Sequence, residues 1–249
     1  YWDYYSPDVS HYAERIAKHR ALGYEPIMAS GVWTWPTFWH DWARTERNAT
    51  PCIAACRQAS LKRLHFTLWS DDGGYWELDS AFAGLAYVSE LCWNEGPVDS
   101  SRLARRFRAA CGAELSAHRK AAELNDPLAA CSVMWDDPLL NLYLRHAARE
   151  DASLLGKAAD TYAEIARALA PYSQDRAAGD LGHAALVAGV LSRKTALASR
   201  LFHAWERRDR AALAEMRALV PALVADLEAL AASFRRQWLS TCKPFGLEV

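Results

Sequence analysis

The sequence lacks the common signatures of metal, nucleotide and serine-hydrolase chemistry. It contains no CxxC pair, no HExxH segment, no glycine-rich phosphate loop and no GxSxG elbow. Each absence excludes the class of site that depends on that spacing, so we expect neither a metal nor a cofactor. No apolar run reaches the roughly 18 residues that a membrane-spanning helix needs, and we expect no membrane partner.

An excess of charge of one sign is also missing. The 29 Lys and Arg against 30 Asp and Glu leave a net charge of -1, which argues against a nucleic-acid partner. The arginines of segment 102–108 are therefore interpreted as the solvated face of a helix.

The six cysteines are scattered along the chain and are interpreted as reduced thiols. Cys52 and Cys56 are better explained as small buried hydrophobic residues than as metal ligands. Reduced cysteines favour a cytoplasmic protein, but the compartment stays open because a leader upstream of Tyr1 would not be visible.

Aromatic residues are unevenly distributed, which divides the chain into two segments. Most of the 11 Trp residues precede Asn94, whereas Ala, Leu, Arg and Glu dominate afterwards. We place a domain boundary near Gly96-Pro97, between residues 1–95 and 96–249. The second segment has only helical periodicity, which predicts an all-α domain. This domain is a candidate for homodimerisation. Pro221 is predicted to start or kink a helix.

The first segment alternates strand-like and helical stretches. The pattern predicts strands at residues 1–5, 31–35 and 64–69 and helices at residues 6–22, 50–61 and 78–93. Such alternation predicts parallel βαβ units. Because a barrel closes with eight strands, three units form either a small open sheet or part of a larger barrel.

Each predicted strand ends in aromatic side chains, and two of the three also carry a carboxylate. Ligands of parallel α/β folds bind at the carboxyl ends of the strands. Aromatic rings stack on the apolar faces of a sugar, and carboxylates accept hydrogen bonds from its hydroxyls. The sequence therefore predicts a carbohydrate site; the alternative is that the tryptophans fill the core. The candidate residues are Tyr1, Asp3, Trp33, Trp35, Trp69 and Asp71.

The adjacent carboxylates Asp71 and Asp72 are a second candidate for chemistry, as an acid/base pair. Neighbouring side chains in a strand point to opposite faces, so both reach a substrate only if the chain turns at the glycine pair that follows. Asp136-Asp137 is instead interpreted as a helix N-terminus. His11 and His19 show no carboxylate partner and are interpreted as surface or packing residues.

Three motifs of the first segment resemble those of the glycoside hydrolase family 20 β-N-acetylhexosaminidases. These are Tyr1-Trp2-Asp3, the segment 31–35 and the segment 67–73. The resemblance is closest to a bacterial branch with a helical C-terminal domain, and segment 243–249 is similar to that branch's C-terminus. It implies an α/β fold, the last three strand/helix units of a (β/α)8 TIM barrel, followed by an all-α C-terminal domain.

This resemblance implies a C-terminal fragment of an exo-hydrolase that removes terminal β-linked GlcNAc or GalNAc with retention. In that mechanism the substrate's own 2-acetamido oxygen attacks the anomeric carbon, assisted by an adjacent Asp-Glu pair. No strand end of the sequence carries such a pair. We therefore expect the catalytic acid upstream of Tyr1, and a fragment that is inactive alone.

The resemblance also implies a role for each candidate residue in binding an N-acetylhexosamine-terminated oligosaccharide or glycoconjugate. Tyr1 holds the acetamido oxygen, Asp3 binds sugar hydroxyls and Trp69 walls the acetamido pocket. Either Trp33 or Trp35 stacks on the sugar. Asp71 stands where the family more often has a Glu that grips the far hydroxyls, and Asp72 is able to replace it.

Two other functions stay open at this point. The first is another barrel glycosidase in which Asp71 or Asp72 transfers the proton. The second is a non-catalytic carbohydrate-binding or scaffold module, in which the helical segment mediates assembly.

Overall fold

The computed structural model describes residues 1–137, 139–151 and 153–247, without the side chain of Asp72. The described chain is mostly helical and has two short strands. It divides into two compact units, Tyr1–Ala122 and Glu123–Val249.

A parallel pairing of three segments forms the sheet of the first unit. Strand β1 (Met28–Gly31) pairs in parallel with β2 (Leu64–Thr67). The first residues of the chain add a third segment through a parallel bridge between Trp2 and Ala29. Since all three run in the same direction, their carboxyl ends lie at one edge. The predicted parallel arrangement is confirmed for these segments.

Five α-helices complete the first unit. They are α1 (Val9–Ala21), α2 (Trp42–Gln58), α3 (Phe82–Trp93), α4 (Ser100–Cys111) and α5 (Leu115–Ala122). Short 3-10 turns at Asp71–Gly73 and Leu78–Ala81 precede α3. One core cluster lies where α1 and α2 pack against β1, and it includes Tyr12, Ile16, Met28, Cys52 and Cys56. The interpretation of the two cysteines as buried apolar residues is confirmed.

Two of the three helices predicted for this segment are confirmed within a few residues, and the middle one is wrong at its start. Helix α2 begins at Trp42 and not at Thr50-Pro51, because the Asp41 side chain accepts the backbone N–H of Arg44 at 2.9 Å. Pro51 lies inside the helix. A proline there removes one hydrogen bond of the helix, which the packing of the buried α2 face outweighs.

The strand predicted to run to Trp35 is also wrong in its bounds. Strand β1 ends at Gly31, and Val32 donates the last ladder bond to β2 at 3.0 Å. The next amide, Trp33 N, donates to the side-chain oxygen Oγ1 of Thr45 at 2.8 Å. A side chain of α2 therefore replaces a neighbouring strand as the hydrogen-bond acceptor for this amide, and the ladder ends here.

The described residues of the second unit form six α-helices. They are α6 (Ala130–Trp135), α7 (Leu142–Glu150), α8 (Leu154–Leu169), α9 (Leu181–Glu206), α10 (Arg210–Arg217) and α11 (Val220–Thr241), with 3-10 turns at Glu123–Asn125 and Ala170–Tyr172. Helix α9 packs along both α8 and α11. The described part of this unit contains no strand beyond an isolated bridge between Ala177 and Gly179. The predicted all-α character is confirmed.

Local signals placed two helix starts of the second unit correctly. Pro221 occupies the first turn of α11, where the missing N–H has no intrahelical partner to lose. The Asp136 carboxylate accepts the backbone N–H groups of Leu142 and Leu144, both at 2.9 Å, at the start of α7. Among the residues described, no helix is long and apolar enough to cross a membrane.

Gly96-Pro97 forms the turn between α3 and α4, where Gly96 adopts a φ of 81°. Helices α4 and α5 both pack against α3 and belong to the first compact unit. The domain boundary placed at this turn concerns the parent protein and stays a prediction.

The arginines of α4 do more than solvate a helix face. The Glu90 carboxylate on α3 is buried and forms ion pairs with Arg102 and, at 2.7 Å, with Arg106. Burial opposes ionisation of Glu90, but the hydrogen bonds from the two guanidinium groups outweigh it and hold the pKa of this carboxyl below its ordinary value. Arg106 is exposed, as the interpretation of this segment as a solvated helix face expects, whereas the part that both arginines play in pairing with a buried carboxylate was not predicted.

Candidate functional site

The first predicted strand end carries a hydrogen-bonded group of three side chains. The Tyr1 hydroxyl donates to Asp3 Oδ2 at 2.8 Å, and His11 Nε2 lies 2.6 Å from the same oxygen. The backbone N–H of Tyr5 donates to Asp3 Oδ1 at 3.1 Å. An ionised carboxylate only accepts hydrogen bonds, so His11 Nε2 carries the proton of this contact.

The charge states of the group follow from these contacts. Burial opposes ionisation of Asp3, but the hydrogen bonds from His11, the Tyr5 backbone and Tyr1 lower the pKa of its carboxyl. Burial and the hydrogen bond to Asp3 raise the pKa of the Tyr1 phenol. At neutral pH, Asp3 is an anion and Tyr1 keeps the proton that makes it a hydrogen-bond donor.

The interpretation of His11 as a residue without a carboxylate partner is wrong. His11 lies on α1, and the turn between the first segment and this helix brings its ring to Asp3. Eight positions separate the two residues, a spacing that carries no recognised signal in a sequence. The histidine was found only through the fold.

Trp33 and Trp35 lie just beyond the end of β1 and stack on each other. Their ring centroids are 4.3 Å apart with an angle of 16° between the planes. Tyr4 packs edge-on against Trp35 at 5.1 Å, and the Arg44 guanidinium lies over Trp33 at 4.9 Å. Both indoles are buried, at 7% and 5% exposure. Their faces are therefore largely occupied by protein groups.

Trp69 follows β2 and is the most exposed of the three candidate indoles, at 43%. Its Nε1 donates to the Tyr4 hydroxyl at 3.1 Å. Its backbone is fixed by Thr34, whose Oγ1 donates to the Trp69 carbonyl at 2.9 Å and accepts from its N–H at 3.2 Å. The ring of Trp69 is thus held by a residue of the first segment, and its backbone by a residue that follows β1.

Asp71 begins a 3-10 turn two residues after Trp69, and it is exposed. Gly73 and Gly74 follow with φ values of 115° and 62°, so the chain does turn at the glycine pair. The side chain of Asp72 lies outside the described residues, and the acid/base pairing with Asp71 stays a prediction.

Tyr4 and Tyr5 join the strand ends into one continuous set of contacts. Tyr5 binds Asp3 through its backbone and packs edge-on against Trp33 at 5.7 Å. Tyr4 contacts the indoles of the other two strand ends. Sequence reasoning missed Tyr4, because alternation assigns it to the face opposite Asp3. The only signal for it was the density of aromatic residues in the first five positions.

The assembled edge combines exposed aromatic rings, a protonated phenol and an ionised carboxylate. Such a combination suits a ligand that has apolar faces and a rim of hydroxyl or amide groups. Among the described residues, no group of three or more His, Cys, Asp or Glu side chains is placed to hold a metal ion.

The chain is thus a helix-rich protein with a short parallel sheet. The strand ends of this sheet present groups that suit a polar organic ligand. A family model described as the Glycoside Hydrolase 20C C-terminal domain matches residues 114–249, more than half of the chain. The chain therefore belongs to glycoside hydrolase family 20, as a member with a helical C-terminal domain. No curated protein matches the chain. The match includes the tail that begins at Lys243, of which Glu248 and Val249 lie outside the described residues, and it does not include the strand-end motifs.

Proposed function

We propose that the chain is part of an exo-β-N-acetylhexosaminidase that removes terminal β-linked GlcNAc or GalNAc by a retaining, substrate-assisted mechanism. Its first segment is proposed to form the last three strand/helix units of a (β/α)8 barrel. The parallel order of the three segments and the helices that follow them support this assignment. Family membership supports a glycosidase.

The observation that carries the proposal is the protonated Tyr1 hydroxyl held beside an ionised Asp3. Substrate-assisted hydrolysis needs a donor at the acetamido oxygen, which must be oriented while it attacks the anomeric carbon. The raised pKa of Tyr1 keeps its phenol protonated at neutral pH. In this mechanism Tyr1 turns its O–H from the carboxylate to the acetamido oxygen.

His11 gives Asp3 a second donor, so the carboxylate stays satisfied when Tyr1 turns to the substrate. The 2.6 Å contact holds Asp3 Oδ2 from the side of α1. We assign to Asp3 a hydrogen bond with a sugar hydroxyl and the orientation of Tyr1. Trp69, as the most exposed candidate indole, is proposed to wall the acetamido pocket.

Trp33 and Trp35 are proposed to support the pocket, and one of them to stack on the sugar. Stacking requires that a ring face be released, since each indole now covers the other. Asp71 is exposed and is proposed to bind the far hydroxyls of the terminal sugar, alone or together with Asp72. None of the three strand ends carries an adjacent Asp-Glu pair. The proposal therefore places the general acid upstream of Tyr1.

The test uses the complete protein that carries this chain and a 4-nitrophenyl N-acetyl-β-glucosaminide. We expect Tyr1→Phe to lower kcat by about 10²–10³-fold, the effect of removing one preorganised donor. Tyr24→Phe is the matched control, because Tyr24 is 70% exposed and lies outside the site. Fluorination of the substrate's acetyl group weakens its oxygen as a nucleophile and is expected to slow the wild-type enzyme progressively.

Two outcomes contradict the proposal. The first is a Tyr1→Phe enzyme with unchanged kcat, and the second is a rate that does not respond to fluorination. If Asp71→Asn instead abolishes kcat while Tyr1→Phe leaves it intact, the chemistry is that of a barrel glycosidase that uses Asp71 for proton transfer.

A further inference from the structure

A cleft with a volume of about 680 Å³ opens in the first unit among α2, α3, α4 and α5. None of the strand-end residues lines it. Its volume falls within the range of about 300–1,000 Å³ that is typical of small-molecule sites. The cleft is therefore a second concave surface, separate from the proposed sugar site.

The wall of the cleft is largely apolar. Leu91 of α3, Leu103 of α4 and Leu115 of α5 line it, and each is at least nine-tenths buried. The ring of Trp42 continues this surface at the start of α2. A ligand with an apolar body would cover these side chains and remove their remaining surface from water.

One charge in the cleft is a guanidinium without an anion. Arg119 of α5 lies over the Trp42 ring, with its guanidinium carbon 4.8 Å from the ring centroid. In the described part of the chain, it has no hydrogen-bond acceptor and no ion-pair partner. Stacking fixes the plane of the guanidinium and leaves its N–H donors at the edge, ready for a carboxylate.

The other charge is a carboxylate without a cation. Glu46 lies one turn after Trp42 on the same helix and lines the same cleft. Its Oε1 accepts the Tyr87 hydroxyl at 3.2 Å, and that hydroxyl also lies 3.0 Å from Thr50 Oγ1. No cationic side chain of the described residues pairs with it. The two opposite charges thus face one apolar cleft without pairing to each other.

We propose that this cleft binds a small zwitterion with an apolar body, of the class of α-amino acids with a large apolar side chain. The ligand's carboxylate accepts from Arg119, and its ammonium group donates to Glu46. Its side chain packs against the three leucines. An apolar ligand with only one charge leaves one of the two protein charges uncompensated, and a ligand without an apolar body leaves the wall exposed.

The experiment is calorimetric titration of the complete protein that carries this chain with three ligands that differ by one charged group. L-Phenylalanine has both charges, 3-phenylpropionate lacks the ammonium group and 2-phenylethylamine lacks the carboxylate. We expect L-phenylalanine to bind about tenfold or more tightly than either of the others.

Each charged residue is then removed in turn. Arg119→Met is expected to weaken L-phenylalanine and 3-phenylpropionate by about tenfold and to leave 2-phenylethylamine unchanged. Glu46→Gln is expected to weaken L-phenylalanine and 2-phenylethylamine and to spare 3-phenylpropionate. Arg105→Met, at an exposed arginine of α4 that does not line the cleft, is the control.

Both side chains are exposed, so the variants are expected to fold, and circular dichroism verifies this. The proposal is overturned if L-phenylalanine does not bind at millimolar concentration. It is also overturned if L-phenylalanine binds with the same affinity to wild type, Arg119→Met and Glu46→Gln.

Discussion

Glu90 of α3 forms ion pairs with two arginines of α4. Its replacement by glutamine removes the charge of the side chain and keeps its size and shape. The Glu90 side chain is only 3% exposed, whereas Arg102 is 33% and Arg106 59% exposed. A desolvated hydrogen bond to a charged group contributes about 1.5–3 kcal/mol, and an ion pair with a solvated partner contributes less than about 1 kcal/mol. Glutamine keeps one acceptor, so we expect a loss of about 2 kcal/mol in the free energy of unfolding at pH 7.

The loss depends on pH in a defined direction. The pKa of Glu90 is lower in the folded protein than its ordinary value. The contribution of the carboxylate is therefore fully present above the pKa of the unfolded chain, about 4.3, and declines as the pH falls through the folded pKa. Wild type and Glu90→Gln are expected to differ at pH 7 and to converge in acid.

Urea unfolding at pH 7 and at a pH below 4 measures this difference, and hydrogen exchange of α3 and α4 assigns it to the first unit. Glu95→Gln is the matched control, because Glu95 is exposed in the turn that follows α3. An equal loss at both pH values, or no loss at pH 7, refutes the assignment of the stability to the ionised carboxylate.

Four further substitutions test the packing, the capping and the pH dependence. Gly84→Ala is expected to destabilise by about 1–3 kcal/mol, since its Cβ would lie 2.3 Å from Nε2 of the buried His40; Gly156→Ala meets nothing within 4 Å and is expected to stabilise by up to about 1 kcal/mol in thermal unfolding. Asp136→Ala removes the acceptor of two N–H groups at the start of α7, and we expect about 1–2 kcal/mol less protection of these amides from hydrogen exchange. Burial lowers the pKa of His183 to about 4, so stability falls as the pH drops from about 6.5 toward 4, by roughly 1 kcal/mol per pH unit. Burial also lowers the pKa of His40, to about 3, so His183→Gln is expected to reduce this slope without abolishing it. A slope unchanged in the variant would show that His183 does not contribute.

The strand-end motifs led to most of the candidate site but not to its geometry. Trp33, Trp35 and Trp69 were predicted from the position of aromatic residues after strand-like runs, and the structure places all three at one edge. That two of the indoles are buried against each other depends on the angle at which the chain leaves β1. This angle is set by contacts with α2, such as the Thr45 hydroxyl that binds Trp33 N, and it leaves no periodic trace in the sequence.

The polar partners of the site were the part that the sequence could not reveal. Asp3 was predicted as a ligand for hydroxyl groups, whereas its pairing with His11 required the packing of α1 beside the first segment. The same holds for Glu90, whose buried position depends on the docking of α3 against α4. Ion pairs and hydrogen bonds between elements depend on distance in space, which a linear spacing does not encode.

Features that depend on residues within one turn of the chain could be predicted without the structure. Pro221 at the start of α11, the end of the first helix near residue 22 and the helical periodicity after Gly96 all depend on neighbouring residues, and all were predicted correctly. The tertiary structure alone decided where β1 ends, that α2 runs through Pro51, and which side chains meet at the strand ends. The physical reason is that backbone conformation is limited by local sterics and capping, whereas burial and charge pairing are decided by residues that are distant in the sequence.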